Sequence, residues 1–172
     1  MRASKATDTR LLIVLDDSKA SRRAAEYVGK VVGKRRGFRI CLVHVLPPLP
    51  PELLEHGGAQ DPAKEAQVES DLKARQRRWI SAAKRASQRG LDEARGILRK
   101  AGLASGVVQA LFCEPGEGRE TANAILNMAR GCRCGTVVVG RQSVSWLHEL
   151  FSQELSEELL RHGKGFCIWA IE

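Results

Sequence analysis

Five short, almost uninterrupted apolar runs recur along this sequence, and they constrain its fold more than any other feature. They are RLLIVLDD (10–17), FRICLVHV (38–45), GVVQALFC (106–113), GTVVVG (135–140) and FCIWAI (166–171). A strand that is apolar at consecutive positions is buried on both faces, which is the mark of a parallel sheet covered on both sides. The segments between the runs have helical spacing. Residues 18–32 place Ala24, Tyr27, Val28 and Val31 on one face, with Ser18 as N-cap and Gly37 beyond the end. Residues 119–130 do the same with Ala122, Ile125, Leu126 and Ala129, and residues 147–162 with Leu147, Leu150, Phe151, Leu155 and Leu159. Strand and helix in alternation predict an α/β fold with right-handed crossovers.

One connection breaks the rhythm. LPPLPPELLEHGGAQ (46–60) is rich in Pro and Gly and reads as an irregular loop. Asp61 and Pro62 then look like an N-cap and a first-turn proline. An apolar stripe follows through Val68, Leu72, Trp79, Ala83, Ala86, Gly90, Ala94, Ile97 and Ala101, with a polar gap at Arg75 and Gln76. A helix over about 63–101 would exceed roughly 50 Å, more than the width of a small domain. It either breaks near Gly90 or projects past the sheet.

The same segment holds much of the chain's +8 formal charge: Lys73, Arg75, Arg77, Arg78, Lys84, Arg85, Arg89, Arg95, Arg99 and Lys100, opposed there by Asp92 and Glu93. A solvated helix face accounts for such a run, and a footprint for an acidic partner or nucleic acid is the functional alternative. No groove-reading motif accompanies it, and an aromatic content of 5% does not favour a base-stacking surface.

Several chemistries are set aside by their motifs. There is no G-x-x-x-x-G-K-[ST] phosphate loop, no G-x-G-x-x-G after the first strand, where the turn reads DDSKAS, and no G-x-S-x-G. His44, His56, His148 and His162 show no metal-ligand spacing, so no metal site is expected. No catalytic residue is assigned. Five cysteines without a disulfide framework point to a reducing, cytoplasmic compartment. Cys41, Cys113 and Cys167 on strands read as small core residues, while Cys132 and Cys134 precede the fourth strand. No secretory leader or membrane span is visible. Asp16 and Asp17 close the first strand, at the end of a parallel sheet where ligands bind.

Taken together, LLIVLDDSKAS, ICLVHVLPP, ETANAILNMARGCRCGTVVVG and ELSEELLRHGKGFCIWAI resemble the universal stress protein family from about residue 10 to 172, with residues 1–9 expected as a disordered tail. The resemblance implies a five-stranded parallel sheet in the order 3-2-1-4-5, helices on both faces, related to Rossmann-like and adenine nucleotide hydrolase-like folds. The loop and long helix at about 46–101 then form an insertion. The resemblance also implies a homodimer. The apolar last strand, with Phe166, Ile168 and Trp169, is the edge through which two copies would pair.

Many members of that family hold ATP through a G-x2-G-x9-G-[ST] pattern, whose glycines admit backbone N–H groups to phosphate. Laid on this sequence, the four positions are Gly140, Ser143, Gln153 and Glu154. Ser143 adds a Cβ where backbone must approach, Gln153 a long side chain, and Glu154 a negative charge beside an anion. Arg141 partly offsets that charge. The expectation is a non-enzymatic stress-response or signalling domain with a degraded ATP loop and no cofactor. The alternatives are an ATP- or AMP-binding member that uses Asp16, Gly140, Arg141 and Ser143, and a binder of nucleic acid or an acidic partner through residues 73–100.

Overall fold

A computed structural model of the chain describes residues 9–54, 62–115, 119–141 and 153–172. Its elements are β1 (Arg10–Leu15), α1 (Lys19–Val32), β2 (Arg39–Val45), α2 (Pro62–Lys100), β3 (Val108–Cys113), α3 (Arg119–Gly131), β4 (Thr136–Gly140), α4 (Gln153–His162) and β5 (Cys167–Ile171). All five strands run parallel in the order β3-β2-β1-β4-β5, as expected. Among the described residues no helix is long and apolar enough to cross a membrane.

The uninterrupted apolar character of β1 has a direct reading in the sheet. Leu11, Ile13 and Leu15 point to the face covered by α1 and α2, while Leu12 and Val14 point to the face covered by α3 and α4. Both sets are buried, each large side chain contributing on the order of 2 kcal/mol. The edge strands β3 and β5 are only partly covered. Cys167, expected in the core, is therefore exposed, because it opens an edge strand that is only partly covered.

α1 starts where the sequence suggests. The Ser21 N–H donates to Ser18 Oγ at 3.1 Å, so Ser18 is the N-cap. It ends at Val32, as the spacing predicts, with Gly33 rather than Gly37 as the C-cap; a Cβ on Gly33 would sit 2.2 Å from the Ala101 carbonyl oxygen. Tyr27 departs from the expected buried face. It is 47% exposed and meets Trp169 of β5 edge-on at 6.2 Å.

α2 is one continuous helix through Gly90, so the break is not present. Every described side chain from Lys64 to Asp71 is exposed, and close packing sets in further along. The polar gap in the stripe has a structural use: Gln76 Nε2 donates to the Leu53 carbonyl at 2.7 Å, tying the proline loop to the helix. The buried line runs through Leu72, Ala83, Ser87, Leu91, Ala94 and Leu98 rather than Ala86 and Gly90. The proposed Asp61 cap, the Leu147 start of the last helix, His56, His148 and all of the N-terminal tail but Thr9 lie outside the described residues.

Candidate functional site

The carboxyl ends of β1 and β4 meet at the first turn of α1, where a parallel sheet offers its ligand crevice. Asp16 follows β1. Its Oδ1 accepts the Ser18 N–H at 3.0 Å, and its carbonyl accepts the Ser21 hydroxyl at 2.8 Å. The Asp16 carboxylate thus helps fasten the amino end of α1, where the helix dipole favours a negative charge.

Gly140 ends β4 and faces the same turn. A Cβ there would lie 2.3 Å from the carbonyl carbon of Ala20, 2.4 Å from its oxygen and 2.6 Å from the Ser21 nitrogen. Backbone cannot yield as a flexible side chain can, so glycine is demanded by the closeness of α1 to β4. Arg141 turns the other way. Its N–H donates to the Ile171 carbonyl at 2.6 Å, and its guanidinium reaches Glu172 Oε1 at 3.3 Å. The structure thus brings Asp16 and Gly140 to one turn of α1 and sends Arg141 to the end of β5. Ser143 lies outside the described residues, as do the side chains of Gln153 and Glu154 at the start of α4.

Beside Asp16 is a cavity of about 280 Å³ between the amino end of α1 and the middle of α2. Asp17, Lys19, Arg22, Arg89, Gly90 and Glu93 line it. Its charges are mixed, and Arg22 spans it to Glu93 at 2.6 Å. Both members of that pair are about half exposed, so the bridge orients more than it stabilises.

His44 of β2, without metal-ligand spacing in the sequence, stands behind this cavity. It is 1% exposed, and its Nδ1 lies 3.1 Å from the Val45 carbonyl, to which it donates in the matching tautomer. Among the described residues Nε2 has no hydrogen-bond partner; Asp17 Oδ1 stands 3.5 Å away, a charge contact beyond good hydrogen-bond geometry. A Cβ on Gly90 would touch that nitrogen at 3.4 Å. The signal was available: a lone histidine inside CLVHV is a polar group in a strand buried on both faces.

Other depressions lie elsewhere. One of about 500 Å³, lined by Asp92, Arg95, Arg99, Leu103, Ser105 and Val108, is larger but sits at the amino end of β3, away from the crevice. Another, about 370 Å³, is an open trough on α2 between Arg77, Arg78 and Arg85. Ion pairs neutralise part of the basic run, joining Lys73 to Glu69, Lys84 to Glu114 and Arg95 to Asp92. Arg75, Arg77, Arg78, Arg85, Arg89 and Arg99 remain exposed. Among the described residues no group of three or more His, Cys, Asp or Glu side chains is placed to hold a metal ion.

A family model described as the universal stress protein family matches residues 9–165. No curated protein sequence matches the chain. Solved structures do. A protein of that family from Burkholderia pseudomallei superposes with a TM-score of 0.63 at 18% identity, with 98% of each chain covered. Universal stress protein UspA from Lactobacillus plantarum gives 0.59 at 11% identity, covering 95% of this chain and 97% of that one. A family protein from Arabidopsis thaliana with AMP bound gives 0.51 at 14% identity, covering 94% and 90%. At these identities the likeness is one of fold.

Proposed function

The chain belongs to the universal stress protein family, and from that premise we propose a non-enzymatic stress-response or signalling domain that works as a homodimer and does not hold ATP. The observation that carries this reading is the engagement of Gly140 and Arg141. The one glycine shared with the family's phosphate pattern is required by the packing of α1, and Arg141, next to it in the chain, is turned to Glu172. Ser143, Gln153 and Glu154 at the other positions supply a Cβ, a bulky amide and a like charge. Residues 10–172 act as one unit, in the cytoplasm, with 46–101 as its distinguishing insertion.

Dimerisation uses the free edge of β5, with Phe166, Ile168 and Trp169 half-buried beside it. The exposed arginines of α2 are the surface for an acidic protein partner. Mass spectrometry of small molecules released from the purified protein tests the central point. The expected result is no nucleotide and no micromolar ATP binding by calorimetry; retained ATP or AMP overturns it. Light scattering tests the rest: a dimer for the wild type and a monomer for Trp169→Asp.

A second reading, an adenine-nucleotide site, is favoured by the cavity beside Asp16 and by the AMP-bound Arabidopsis relative. It requires that Asp16→Ala weaken any measured nucleotide affinity. Binding of nucleic acid by residues 73–100 would instead appear as a gel shift that fades steeply with added salt.

A further inference from the structure

At the opposite, amino end of the sheet, three thiols meet. Cys41 on β2 and Cys132 in the turn after α3 have their Sγ atoms 2.9 Å apart. The turn is built to hold this arrangement. The Cys132 and Cys134 N–H groups donate back to the Met128 and Ala129 carbonyls at 2.9 and 2.8 Å, and Arg133 between them has a φ of 55°. The Cys132 carbonyl also accepts from Arg10 Nη1 at 3.3 Å. Cys41 is 3% exposed, while Cys132 is partly open to solvent. A small cavity of about 80 Å³ joins the two thiols to Cys134, Arg10 and Arg39.

From this geometry we infer that Cys41 and Cys132 are a dithiol site, oxidised to an intramolecular disulfide by an anionic low-molecular-weight disulfide. Closing the bond asks for about 1 Å of approach between sulfurs, since a disulfide spans about 2.0 Å. Cys132 attacks first, because it is the reachable thiol. Its thiolate bonds to one sulfur of the reagent, the reagent's S–S bond breaks, and one thiolate leaves. Cys41 then attacks Cys132 Sγ, the mixed disulfide breaks, and the second reagent thiolate leaves with the Cys41 proton. Two protein thiols and one small disulfide become one protein disulfide and two small thiols.

Burial, with the contact to Cys132 adding to it, pushes the Cys41 thiol well above the ordinary range. That keeps it from reacting alone, and the second, intramolecular step rests instead on the 2.9 Å approach of the two sulfurs. Arg10 and Arg39 beside the cavity favour a reagent carrying carboxylates.

The probe is oxidised glutathione, applied to a Cys167→Ser background so that the exposed thiol of β5 does not report. The expected product has lost two hydrogens by intact mass, with residues 41 and 132 joined in non-reducing peptide maps. Cys41→Ser in the same background should stop at one glutathionyl group on Cys132, and Cys132→Ser should take up none at Cys41. A stable glutathionyl group on Cys132 with Cys41 still alkylatable after denaturation overturns the inference. So does a bond between Cys132 and Cys134, or a failure to react. The peptide map of the background protein decides the matter even if Cys41→Ser does not fold.

Discussion

Along α1 the buried positions run from the first turn to the last: Ala20, Ser21, Ala24, Ala25, Val28, Gly29 and Val32. Along α2, on the same face of the sheet, the first two turns with described side chains contain none, and Leu72 is the first to be buried before a second set begins at Ala83. The difference is one of side-chain size as much as hydrophobicity. α1 brings alanine and glycine to its contacts, so backbone lies against backbone at Gly140 and at Ala101. α2 spans about 58 Å at 1.5 Å per residue, far more than a six- or seven-residue strand can underlie. Its outer part is left to charged side chains. One helix is thus fitted to the sheet by what it lacks, and the other carries arginines that stay exposed among the described residues.

The sharpest way to break this contrast is at the tightest contact. Gly140→Ala should lose about 3 kcal/mol or more in urea unfolding, because α1 must back away from β4. A near-neutral result would mean that α1 is not fitted as described. Leu98→Ala, at the seated end of α2, should lose about 3 kcal/mol. Leu72→Ala should lose less than half of that, and equal losses would show that the outer part is seated as firmly as the inner. Gly96→Ala should move the other way, gaining on the order of 0.5–1 kcal/mol in the same assay, since no atom of the described residues lies within 4 Å of the added carbon in a helix interior. Arg141→Ala, which removes an exposed ion pair with Glu172, should change stability by about 0.5 kcal/mol or less.

The strands were legible because each writes its burial on both faces as a continuous apolar run, and their order came from the resemblance those runs carry. The stripe on α2 was legible only in part. Alanines and a glycine at Ala86 and Gly90 fit helical spacing as well as Ser87 and Leu91 do, and small residues do not declare which side of a helix they occupy. Tyr27 and Cys167 were misplaced for a related reason: an apolar residue near the sheet edge has a partner on one side and solvent on the other. At the crevice, the sequence pointed to Asp16 and Gly140 but not to what they touch. That Gly140 answers to the backbone of Ala20, or that His44 turns a ring nitrogen toward Asp17, depends on contacts between elements far apart in the chain. The approach of Cys41 to Cys132 was hidden in the same way.

The central place of β1 also sets the order in which the molecule can be completed as it is made. β1 emerges first and acquires β2 early, but its other side pairs Leu11 with Thr136, which cannot happen until α2, β3 and α3 have all been synthesised. Distant pairings of this kind are the slow ones. Through that interval the nascent chain carries a bare apolar strand flank, a burden that falls to whatever shelters unfinished proteins at the ribosome.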